Sequence, residues 1–128
     1  MRSKLGIIGK VPNSIIVTAR QIRRKILAAN GSPFGSCSDA SCMLAKKLRQ
    51  LGYDAHMISG KFVIEKGTRI YNPIRKEHCW VRIKKIIVDV TADQFNCDMN
   101  DTQMRAVVVG TSKQLQSRYK RKCCRGSI

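Results

Sequence analysis

Acidic residues are scarce in this chain: eight Asp and Glu stand against twenty-five Lys and Arg, for a net charge of +17. That exceeds what solubility needs and points to an anionic partner, whether a nucleic acid, a ribosome or an acidic protein substrate. Aromatics are also few, at 5% of residues. No recognised nucleic-acid-binding motif occurs, which argues against base-specific reading. Long apolar runs are missing, since stretches such as Ile86 to Val88 and Ala106 to Val109 are too short to cross a bilayer. The basic start, Met1 to Lys10, lacks the apolar stretch and cleavage site of a signal peptide. A cytoplasmic chain with its six cysteines as thiols is therefore expected. No Cys lies four from the C-terminus, so prenylation is not indicated. The cysteines contain no Cys-x-x-Cys pair and the two histidines no His-x3-5-His spacing, so neither a metal nor another cofactor is expected.

What is present is a globular composition, 43% hydrophobic, in 128 residues, enough for one small core. The charge is uneven. Residues 1–36 carry +7 with no acid, residues 37–100 carry +4, and residues 101–128 carry +6. Two basic ends flank a nearly balanced centre, which suggests that a partner-binding surface and a chemical site are separate features. We expect a single domain over residues 1–117 and a solvated basic tail over residues 118–128.

Pro12-Asn13-Ser14 marks a helix start with Asn13 or Ser14 as cap. Ile15, Ala19, Ile22, Ile26 and Ala29 then form one apolar face, ended by Asn30-Gly31. A second helix is expected from Ser36 or Cys37 to Leu51, with Cys37, Ala40, Leu44, Leu48 and Leu51 on one face and Met43 beside it. The period then changes to two. Ala55 to Ser59, Lys61 to Ile64, Arg69 to Tyr71, His78 to Ile83, Lys85 to Val90 and Met104 to Val109 read as strands, with a break at Asn72-Pro73. Helices followed by a run of strands argue for an α+β fold, N-terminal helices packed on an antiparallel sheet.

Cys37 lies at a helix start behind a Gly-Ser turn. Unpaired backbone N–H groups and the positive end of the helix dipole there favour thiolate, and the same groups could hold an oxyanion. A small core residue is the plainer reading of that position alone. The hairpin adds to it. If Lys84-Lys85 forms a two-residue turn, Trp80 faces Asp89 and His78 faces Thr91, making His78 and Asp89 diagonal neighbours. Cys79, Val81, Ile83, Ile86, Val88 and Val90 then line the opposite, apolar face. A thiol at a helix start, an imidazole to deprotonate it and a carboxylate to orient the ring form a Cys-His-Asp constellation. Cys37 would be the nucleophile, His78 the base and Asp89 the orienting acid. Asp93 has the same parity as Asp89 and is the alternative.

At these residues the sequence resembles the transglutaminase-like branch of the papain-like cysteine enzymes. Gly35-Ser36-Cys37 opens the family's helix and Leu48-Arg49-Gln50-Leu51-Gly52 ends it. Ile58-Ser59-Gly60 closes a strand, and His78-Cys79-Trp80-Val81 and Val88-Asp89-Val90-Thr91 supply the two that follow. The match covers roughly residues 35–95. It implies a Cys-bearing helix packed on an antiparallel sheet that carries His78 and Asp89, and a thiol hydrolase or acyltransferase acting on a protein or peptide. Protease, deamidase and transglutaminase chemistry all remain open. The chain is shorter than the large animal transglutaminases and lacks their calcium loop. Asn30, seven residues before Cys37, is a candidate second oxyanion donor by analogy with the papain-like glutamine, a helix C-cap being the alternative. Trp80 and Gln94 are candidate substrate-binding residues. Gln94 could equally belong to a turn against the sheet edge.

Cys42, Cys79 and His56 read as structural, the first two in the core. The basic ends support a second hypothesis, a nucleic-acid- or ribosome-binding protein on an inactive enzyme-like scaffold. Arg23, Arg24, Lys120, Arg121 and Lys122 would then contact phosphates.

Overall fold

The computed structural model describes residues 3–32, 35–64, 74–98 and 102–121. In chain order these form β1 (Ser3–Ile7), α1 (Asn13–Asn30), α2 (Cys37–Gln50), β2 (Ala55–Ile64), β3 (Ile74–Ile83) and β4 (Ile86–Asp89). A 3-10 turn (Ala92–Asp98), β5 (Thr102–Thr111), α3 (Ser112–Leu115) and β6 (Tyr119–Arg121) follow. The six strands make one sheet in the order β1-β5-β4-β3-β2-β6. The fold is mixed α+β. Two expectations are corrected at the N-terminus: a strand precedes the helices, and it pairs with β5 in parallel, so the sheet is not wholly antiparallel. Five residues around a glycine are too few to show an alternating pattern.

The helices form for the reasons their periodicity gives. Ile15, Ala19, Ile22 and Ile26 of α1 are buried, as are Ala40, Leu44, Ala45 and Leu48 of α2. They pack on Ala55, Val81, Ile83, Val88, Val90, Val107 and Val109 of the sheet. Each large side chain buried here, such as Leu44, contributes on the order of 2 kcal/mol relative to exposure. The ends of the apolar stripes run past the core, because Ala29, Met43 and Leu51 are exposed. Neither Asn13 nor Ser14 caps α1. Pro12 occupies the cap, and Ser14 Oγ instead hydrogen-bonds the Tyr53 hydroxyl. Gly31 closes the helix at φ 75°, its N–H donating to Leu27 O at 2.7 Å.

The two strands expected over residues 55–64 are one, passing through Gly60. A Cβ at Gly60 would collide with the Lys120 carbonyl oxygen and the Trp80 ring, so the missing side chain lets β6 lie against β2. The strand expected at Arg69 to Tyr71 and the Asn72-Pro73 break lie outside the described residues.

β6 corrects the reading of residues 118–128 as a solvated tail. Tyr119–Arg121 pairs antiparallel with β2, Val63 N–H donates to Arg118 O at 2.8 Å, and Tyr119 is buried. Residues 122–128, with Lys122, lie outside the described residues. The sheet consequently has a second core on the face away from α1 and α2. Phe62, Ile64, Trp80, Ile87, Phe95, Met104, Val108, Leu115 and Tyr119 pack there. Among the described residues, no helix is long and apolar enough to cross a membrane.

Candidate active site

The β3–β4 hairpin sets the site. Val81 pairs with Val88, Arg82 with Ile87 and Ile83 with Ile86, the register that puts Trp80 opposite Asp89. Lys84 takes φ 52°, the left-handed conformation that such a tight turn requires and a lysine rarely adopts. β4 ends at Asp89 whereas β3 extends further back, so His78 reaches across the diagonal. Its Nε2 lies 2.6 Å from Asp89 Oδ2. Both side chains are buried.

Asp89 is held from every side. Oδ1 accepts the Thr91 backbone N–H at 3.0 Å, and Oδ2 accepts the Tyr119 hydroxyl at 2.8 Å as well as the His78 ring. Around the imidazole, Phe95 lies edge-on at 4.9 Å between ring centroids, Phe62 at 5.8 Å and Trp80 at 6.0 Å. This shell of apolar rings excludes water and strengthens the Asp89 interaction.

With Nε2 engaged, Nδ1 is the nitrogen left for the thiol. Cys37, the first residue of α2 and half-buried, hydrogen-bonds the His78 side chain, and its sulfur also receives the backbone N–H of Cys79. The His78 hydrogen bond holds the Cys37 thiol below its ordinary range against the opposing effect of burial. Burial likewise disfavours charge on His78, but the Asp89 carboxylate outweighs it, with a further contribution from Cys37, and lifts the imidazole to about 9. The two shifts act in the same sense: each favours a Cys37 thiolate beside a His78 imidazolium over the neutral pair.

Other candidates fall into place around that pair. Gln94, in the 3-10 turn, has Nε2 3.4 Å from His78 Nδ1 and 3.4 Å from Thr91 Oγ1, so its amide sits at the edge of the ring that meets the thiol. Asn30, at the end of α1, donates from Nδ2 to Ser36 Oγ at 3.1 Å and so braces the residue before Cys37. Gly31 is the cap of α1, not Asn30. Trp80 is not an exposed platform. At 2% exposure it is a wall behind His78 and Tyr119.

Several expectations are corrected. Asp93 is unavailable to orient His78, because it grips Arg23 through two hydrogen bonds of 2.6 and 2.8 Å. Arg23 is therefore no phosphate contact. It is buried beneath α1 and also donates to Val90 O at 3.0 Å, tying the helix to the strand end that follows Asp89. Arg24, Lys120 and Arg121 are exposed, on α1 and β6. Cys42 is exposed, not core. Cys79 is half-buried beside Cys37, its sulfur 3.6 Å from Ser59 Oγ, and burial raises its thiol whereas that of Cys37 is lowered. His56 is exposed and pairs with Asp54. Tyr119 was not anticipated at the site at all.

No protein-family model matches this chain, and neither does any curated protein or solved structure.

Proposed function

We propose that this chain is a transglutaminase-like thiol enzyme that attacks an amide carbonyl of a protein or peptide through Cys37. The observation that carries the reading is the bond of 2.6 Å between His78 Nε2 and Asp89 Oδ2, in a dry shell, with the His78 side chain also engaging a thiol at the start of a helix. A buried ionisable pair has no structural need of a thiol partner, whereas acyl transfer needs all three groups. The arrangement of an N-terminal Cys-bearing helix against a hairpin carrying His and Asp is the one the papain-like resemblance implies.

The chemistry follows from the protonation state. The Cys37 thiolate adds to the amide carbon, and the oxygen takes up charge near the free N–H groups at the start of α2. The His78 imidazolium passes its Nδ1 proton to the departing nitrogen as the C–N bond breaks, leaving a Cys37 thioester and neutral imidazole. Water then adds to the thioester, giving a proton to Nδ1, and the thiolate leaves. An amine in place of water gives transfer instead of hydrolysis. Asp89 keeps Nε2 protonated throughout. Gln94 is placed to bind the substrate amide beside the ring.

The test is ammonia release from glutamine-containing peptides, with and without a primary amine acceptor. Release should vanish in Cys37→Ala with the circular dichroism unchanged. Turnover that survives Cys37→Ala would overturn the reading.

A further inference from the structure

A cleft opens on the face of the sheet away from α1 and α2. Arg82 of β3, Lys85 of the hairpin turn, Lys113 of α3 and Arg121 of β6 line a cavity of about 430 Å³ whose walls include no acid. None of these four cations has an ion-pair partner among the described residues. Arg82 Nε donates only to the backbone, to Lys84 O at 2.6 Å. The floor is apolar, made by Trp80, Ile87 and Tyr119 of the second core. A second cavity of about 600 Å³ shares Ile58, Arg82 and Arg121 with the first and adds Lys84. Its one acid, Asp54, is occupied by His56 at 2.8 Å.

Four unneutralised like charges around one concavity raise its potential, and an anion relieves their mutual repulsion. A single small anion would call for cations converging on one point. Here they are strung along two joined cavities, which suits a chain with repeating charge. The apolar floor narrows the choice further. A nucleotide alternates one charge with one flat ring, which suits a cationic rim above half-buried Ile58 and the edges of buried Trp80 and Ile87. A run of acidic residues carries charge at every step and leaves that floor uncovered. We propose that this cleft binds single-stranded nucleic acid, with the forked guanidinium groups of Arg82 and Arg121 on phosphates and Lys85 and Lys113 extending the track. This site shares only Arg121 with the basic residues expected from sequence to contact phosphates, and it stands whether or not Cys37 is a nucleophile.

Fluorescence anisotropy of a short labelled oligothymidylate on the full chain tests it. Replacing Arg82, Lys85 and Lys113 together by Gln should weaken binding about tenfold or more at moderate salt, and flatten the logarithmic salt dependence by about 2. Replacing Arg20, Arg24 and Arg105 together by Gln removes the same charge from the α1–β5 side. That variant should lose less than about threefold, the effect of net charge alone under screening. Equal losses from the two variants, or no binding by the wild type, would overturn the proposal. So would an oligoglutamate of equal charge that displaces the oligonucleotide at equal or lower concentration. Should the first triple variant fail to fold, the exposed Lys113→Gln against Arg24→Gln carries the same comparison, with loss expected for Lys113→Gln alone.

Discussion

Tyr119→Phe isolates a single interaction. The phenol donates to Asp89 Oδ2 at 2.8 Å, and both groups are buried. Removing the hydroxyl leaves the ring against Trp80 and Phe62, so packing is kept and only the hydrogen bond is lost. A buried hydrogen bond to a charged acceptor contributes about 1.5–3 kcal/mol. Asp89 Oδ2 still has His78 after the substitution, which places the expected loss near the lower end, about 1.5 kcal/mol. Urea unfolding followed by Trp80 fluorescence measures it, since the chain has a single Trp. A cycle with Asp89→Asn assigns the effect: the two substitutions should couple by about 1 kcal/mol, because they remove ends of one bond. A stability change under about 0.5 kcal/mol is what a solvated tail would give, and it would refute the placement of β6 over the site.

Three further outcomes follow from the same contacts. Asp93→Ala should cost about 2–3 kcal/mol by stranding the buried Arg23, while Cys37 keeps its alkylation rate; a loss of thiol reactivity without loss of stability would contradict the structural role of this pair. Gly60→Ala should destabilise by about 1–3 kcal/mol in urea, because the clash is with the Lys120 backbone and can be relieved only by moving β6. Unchanged stability there would mean that β6 does not rest on β2. Asp89→Asn should reduce turnover less completely than Cys37→Ala, since the amide can still accept from the ring but no longer stabilises its charge; equal loss in steady-state assays would make Asp89 as indispensable as the thiol.

The parts of this molecule that were legible in sequence are those with a repeating pattern or a short-range constraint. The apolar steps of Ile15 to Ile26 and of Ala40 to Leu48 declared both helices. The two-residue turn at Lys84-Lys85 settled which residues of β3 and β4 face one another, and with it the meeting of His78 and Asp89. What was not legible depends on contacts distant along the chain. Arg23 and Asp93 are 70 residues apart, and nothing local distinguishes a buried guanidinium from its exposed neighbours Arg20 and Arg24. Tyr119 sits in a basic run, and the three residues of β6 are too short for periodicity to show. Its only sequence signal is an aromatic among cations. Cys79 has core parity, but β4 stops before covering it, which leaves room for Cys37. Trp80 has site parity, but the sheet is covered on both faces, so that residue became a wall.

The central claim is that Cys37 and His78 share an ion pair at neutral pH. The folded His78 is raised from 6.5 to about 9, and Cys37 is lowered from 9.0, so the pair exists from the lowered thiol value up to about 9 and is lost above it. The direct measurement is the pH dependence of iodoacetamide alkylation, mapped by mass spectrometry at Cys37 with the exposed Cys42 as an internal reference. The account predicts that Cys37 reacts ahead of Cys42 at mildly acidic pH and that His78→Ala abolishes this lead. A Cys37 that follows Cys42 at every pH, or keeps its lead without His78, would contradict it.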